Sequence, residues 1–98
     1  MLVEVTARGG RAVVRLPVHG TTGHEWVLES LPESLRLVDE HYVQEGVPGD
    51  RMVGAGGVHV FTVEVPEAGS YELTFALRRP WESQALETRT VHIRRTDD

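Results

Sequence analysis

Apolar and polar side chains alternate along most of this chain. From Tyr71 the set Tyr71, Leu73, Phe75 and Leu77 is interleaved with Glu72, Thr74, Ala76 and Arg78. A period of two places the two sets on opposite faces of an extended segment, so this run predicts a strand with one buried face. From His59 onward, Phe61, Val63 and Val65 alternate with Val60, Thr62 and Glu64 in the same way. Leu2 to Thr6 and residues 11–16 predict two more strands, with Arg8-Gly9-Gly10 as the turn between them. Residues 26–29, 35–38, 40–44 and 88–94 complete the set.

Turn chemistry falls between these runs. Gly20 and Gly23 share one turn, and Pro48-Gly49-Asp50 makes another, proline presetting one φ and glycine supplying an unusual one. Pro66-Glu67-Ala68-Gly69 reads as a hairpin connection, and Pro80 ends a strand because it cannot donate to a ladder. Residues 29–38 are the helical candidate, but Pro32 and poor apolar spacing argue against more than a turn. Seven or eight short strands at a spacing of about 8–12 residues predict an all-β sandwich or barrel.

Composition narrows the function more than the fold. At 98 residues the chain has room for one domain, 1–98, with a thin core. There is no cysteine, so no disulfide, thiol nucleophile or thiolate ligand is available, and packing must supply the stability. The net charge is −5 and all ten basic residues are arginine. That balance argues against nucleic-acid partners and against anionic membrane surfaces. The apolar runs are far too short to span a bilayer. The opening Met1-Leu2-Val3-Glu4-Val5 lacks the basic-then-apolar pattern of a signal peptide, which leaves the compartment open between cytoplasmic and exported.

Catalytic constellations are not evident. Ser30, Ser34, Ser70 and Ser83 stand in no nucleophile-elbow context. His24-Glu25 does not open a metalloprotease helix motif, because the residue four after His24 is Leu28. The five histidines match no zinc spacing, and neither a metal nor a cofactor is implied. Trp26, early in what reads as a central strand, is expected in the core.

Three segments carry more than turn chemistry. They are His19-Gly20-Thr21-Thr22-Gly23-His24-Glu25-Trp26, then Val53-Gly54-Ala55-Gly56-Gly57 followed by Phe61, then Arg78-Arg79-Pro80-Trp81-Glu82. In this order and spacing, across residues 16–93, the chain resembles the chagasin family of cysteine-peptidase inhibitors. That family has an Asn-Pro-Thr-Thr-Gly loop with a tryptophan shortly after, a Gly-X-Gly-Gly loop and a late Arg-Pro-Trp loop. One departure stands out: His19-Gly20 replaces Asn-Pro, and the stiffness of the proline is lost, so ordering that loop on binding costs more entropy.

The resemblance implies an immunoglobulin-like β-sandwich of seven or eight strands, no enzymatic activity, and a papain-like cysteine protease as partner. It implies that Thr21, Thr22 and Gly23 lie over the catalytic cysteine and histidine of that protease. Gly54, Ala55, Gly56 and Gly57, with Val58 and His59, would follow the non-primed side of the cleft, and Arg79, Pro80 and Trp81 the primed side. The residue types suit such a wedge. Small residues let backbone approach a narrow cleft, hydroxyls can bond catalytic groups, and an exposed tryptophan is a frequent interface hot spot. A monomer is the default expectation. The alternative is a non-inhibitory immunoglobulin-like interaction or structural module, motivated by His19-Gly20 and the missing export signal.

Overall fold

The computed structural model describes residues 2–18, 24–44 and 57–96, and within them the chain forms seven strands and no helix. These are β1 (Leu2–Thr6), β2 (Arg11–Val18), β3 (Glu25–Ser30), β4 (Arg36–Gln44), β5 (Gly57–Glu64), β6 (Gly69–Arg78) and β7 (Glu87–Arg95). They make two sheets, ordered β1-β7-β6-β3 and β2-β5-β4, as expected of an immunoglobulin-like sandwich. All pairings are antiparallel except β1 with β7, which run parallel.

The alternation read from the sequence is what joins the sheets. Ala12, Val14 and Leu16 of β2, with Phe61 and Val63 of β5, face Leu73 and Phe75 of β6 and Val91 and Ile93 of β7 across the interior. Phe61 and Phe75 meet with ring centroids 4.8 Å apart at a tilt of 55°, within the range in which aromatic pairs attract beyond their area. Residues between these positions, such as Arg11, Val13 and Arg15, point out to solvent.

Three expectations change in detail. Residues 66–69, expected as a hairpin connection, instead carry the chain from β5 of one sheet across to β6 of the other, and these two strands do not pair. The separate strands expected at 35–38 and 40–44 are one strand, β4, interrupted by a bulge. Leu37 pairs with Val63 and Asp39 with Thr62, leaving Val38 as the extra residue. The bulge shifts the phase by one, so that Glu40 and Tyr42 stand opposite Phe61 and His59 on the same side of the sheet, although both remain exposed. The 29–38 segment contains the single turn expected, closed by the Leu35 amide donating to the Pro32 carbonyl at 3.0 Å. β2 also runs past its expected end at Leu16 to Val18 and so contains Pro17. Proline is tolerated there because β2 is an edge strand, with one side free of ladder bonds.

Turns and corners follow from local chemistry. Gly9 and Gly10 both have positive φ, 61° and 77°, the signature of a type I′ turn, and the amides of Arg8 and Arg11 each donate to the other's carbonyl. At the start of β6 the Tyr71 hydroxyl donates to the Glu67 carbonyl at 2.9 Å, a tyrosine corner that fixes the entry of the strand. Trp26 is only 2% exposed, as expected of a core tryptophan, although its strand β3 is an edge and not the central strand expected, and its indole Nε1–H donates to the Pro17 carbonyl at 2.9 Å. A buried indole N–H needs such a partner, and this one ties β3 of one sheet to β2 of the other.

Replacing Trp26 by phenylalanine removes that hydrogen bond and part of the packed volume. Trp26→Phe is expected to destabilise the fold by about 2 kcal/mol, read as a lower urea midpoint at unchanged m-value.

Candidate functional site

The sandwich has one end at which the three motif segments depart. In one sheet Val18 pairs with Gly57, and Gly57 with Gln44. In the other Glu25 pairs with Arg78, and Leu77 with Glu87. These residues end or begin β2, β5, β4, β3, β6 and β7, so residues 19–24, 45–56 and 79–86 leave from matched strand ends. The Trp26–Pro17 hydrogen bond holds the ends of the two sheets together one residue inside this rim.

Of the ten candidate contact residues, Gly57, Arg79, Pro80 and Trp81 are described. Thr21, Thr22, Gly23, Gly54, Ala55 and Gly56 lie outside the described residues, as do His19 and Gly20.

The late segment is the best defined. The Glu82 amide donates to the Arg79 carbonyl at 3.0 Å, closing a β-turn over Arg79-Pro80-Trp81-Glu82. Proline presets φ at the second position of such a turn. No described non-glycine residue has positive φ, which excludes a type II turn and leaves Trp81 in type I geometry. The Trp81 side chain is 75% exposed. Arg79 flanks it, with Cζ 5.9 Å from the indole centroid and Nη1 3.6 Å from the Glu82 carboxylate. Leu86 adds a second exposed apolar side chain, at 68%, while its amide is tied to the Leu77 carbonyl at 2.7 Å.

Two residues at this segment's root were not evident in the sequence. Arg78 reads there as one more outward polar position of β6, but its Nη1 donates to the Glu82 carbonyl at 3.1 Å and its Nε lies 3.5 Å from a Glu29 carboxylate oxygen. Leu86 has no periodic signal, since it stands between a turn and a strand. A cue for Arg78 did exist: paired arginines before Pro-Trp, with Glu82 three residues beyond the second.

Gly57 has an internal reason to be glycine. It is a buried residue of β5, and a Cβ there would run into the Tyr42 phenol ring and the Val43 carbonyl oxygen. Its neighbour His59 is also turned inward, stacked on Phe61 at 4.2 Å, with Nε2 2.8 Å from the Glu40 carboxylate. The root of the glycine segment is therefore packed by Tyr42, His59 and Glu40. On the facing sheet Arg89 stands 5.1 Å from the Trp26 ring centroid, its Nε donating to Glu87 at 2.6 Å. Among the described residues, no group of histidines and carboxylates is arranged to hold a metal ion.

The family model for chagasin family peptidase inhibitors of type I42 matches residues 6–94. Chagasin of Trypanosoma cruzi is 33% identical over 95 residues, covering 90% of this chain and 84% of its own. Amoebiasin-1 of Entamoeba histolytica is 29% identical over 79 residues, covering 81% and 74%. Among solved structures, a cysteine protease inhibitor of Entamoeba histolytica superposes with a TM-score of 0.72 at 18% identity, over 97% of this chain and 86% of that one. The solution structure of Amebosin gives 0.67 at 26% identity, over 97% and 88%.

Gly57→Ala is expected to lower stability by about 1–3 kcal/mol, because one of the obstructing atoms is a backbone carbonyl and cannot rotate away. The thermal midpoint of the isolated protein checks this.

Proposed function

We propose that this chain, which belongs to the chagasin family of peptidase inhibitors, is a reversible inhibitor of papain-like cysteine proteases that acts by filling the active-site cleft. Members of the family are inhibitors, not enzymes. The observation that carries the reading is Trp81, a largely exposed indole at the tip of a proline-set, hydrogen-bonded turn. An interface anchor needs that placement, and tryptophan is among the residue types enriched at interface hot spots.

In this reading Arg79, Pro80 and Trp81 enter the primed side of the cleft. Thr21, Thr22 and Gly23 cover the catalytic cysteine and histidine, their small side chains letting backbone approach and their hydroxyls available to polar catalytic groups. Gly54, Ala55, Gly56 and Gly57 follow the non-primed side as an extended strand would. For Gly57 the contribution is through backbone only, since its Cα side is filled by Tyr42. No bond is formed to the protease, so occlusion is complete at saturation and reversed by dilution. Preorganisation favours such a wedge, because an ordered turn loses less entropy on docking than a loose one.

Titration against papain and a cathepsin L-like enzyme tests the proposal. The expected result is inhibition reversed by dilution, with no mass added to either protein. Trp81→Ala should raise Ki about 30-fold, the counterpart of the roughly 2 kcal/mol that a hot-spot tryptophan contributes. No inhibition at micromolar concentration from demonstrably folded protein would overturn the reading and leave an immunoglobulin-like interaction module.

A further inference from the structure

The turn that carries Trp81 is closed locally, but local closure does not aim it. A β-turn held by its own amide can swing as a unit about the strands that feed it. What fixes its direction must reach outside the turn, and the Arg78 side chain does so. Arg78 is the last residue of β6 and is paired with Glu25, the first residue of β3. Its guanidinium donates from Nη1 to the carbonyl of Glu82, the closing residue of the turn, at 3.1 Å. The same planar group places Nε 3.5 Å from the carboxylate of Glu29 on β3.

The position of Glu29 is itself specific. Leu28 pairs with Phe75 and Ser30 with Thr74, which leaves Glu29 as the extra residue of a bulge in β3. Bulges re-aim a side chain and increase local twist, and here the bulged residue is the one that meets Arg78. The result is a strut running from the bulge of one strand, through a guanidinium, to the backbone of the Trp81 turn. The Nη1 contact is a hydrogen bond, while the contact of the buried Nε with Glu29 is an ion pair without hydrogen-bond geometry. Lysine replaces this only in part, because one ammonium lacks the planar group that reaches both oxygens from separate nitrogens.

We infer that Arg78 is a positioning residue for inhibition, one that does not itself contact the protease but holds the Trp81 turn in its docking direction by bridging Glu82 and Glu29. The inference rests on the inhibitor reading for its consequence, while the bracing it describes can be measured in the free protein. Arg79 contacts Trp81 and Glu82 of the turn itself.

The test combines affinity with local amide exchange. Arg78→Ala is expected to raise Ki against papain roughly five- to tenfold, the scale of one ordinary intramolecular hydrogen bond. The loss should disappear when the same substitution is made in a Trp81→Ala background, since a turn without its anchor gains nothing from being aimed. The Glu82 amide should exchange faster while that of Phe75 stays protected. Arg78→Lys should fall between wild type and alanine, and it carries the test if the alanine variant does not fold. An unchanged Ki, or an equal loss in the Trp81→Ala background, would overturn the inference. If the wild-type protein inhibits no papain-like enzyme, the inhibitor reading fails, and Glu82 exchange alone decides the bracing: faster in Arg78→Ala supports it, unchanged refutes it.

Discussion

One hydrogen bond closes the sandwich where it matters, from the indole of Trp26 to the carbonyl of Pro17. Both strands involved are edges, β3 of one sheet and β2 of the other. An edge carbonyl has no ladder partner and a buried indole N–H has no water, so each resolves the other's deficit. The ring fills the interior between the sheets at the rim, while Arg89 and Glu87 cap it from β7. The strand ends that bound the segments proposed to touch a protease lie on the rim that this junction closes, on β2 and β3 themselves or one or two strands away. The rigidity of the junction therefore sets how well those segments hold their mutual spacing.

The two sides of the rim are built differently. Around the glycine segment the support is bulky: the half-exposed Tyr42 over Gly57, the inward His59 on Phe61, and Glu40 beside His59. Around the tryptophan turn it is a surface network of arginines and carboxylates. Exposed ion pairs contribute little stability individually, on the order of 0–1 kcal/mol. Their use here is directional, since a planar guanidinium that joins backbone to a neighbouring strand limits rotation even where it adds little to the fold's free energy.

Much of the fold was legible because alternation is a local signal. β2 and β6 could be read from single residues, Val14 and Leu16 or Leu73 and Phe75, without knowing their partners. Trp26 was legible as core from a different cue, a tryptophan early in a sandwich strand. The β4 bulge was not, because an extra residue is defined only against the partner strand; Val38 simply breaks the alternation and makes one strand look like two. The Tyr71–Glu67 corner and the Arg78 strut were hidden similarly, since each depends on where a polar tip ends rather than on where its Cα lies. At the site, exposure of Trp81 followed from Pro80 ending the strand, whereas the packing role of Gly57 required seeing Tyr42 across the ladder.

The parallel pairing of β1 with β7, in register from Leu2 opposite Thr90 to Thr6 opposite Arg94, has a mechanical consequence. Tension applied along the chain would draw the front of β1 backward and the rear of β7 forward. In that geometry the ladder is loaded in shear, so its bonds share the force and must yield together instead of peeling one at a time. The first and last strands thus act as a clamp on the whole sandwich, resisting extension far better than an antiparallel terminal hairpin of the same length would.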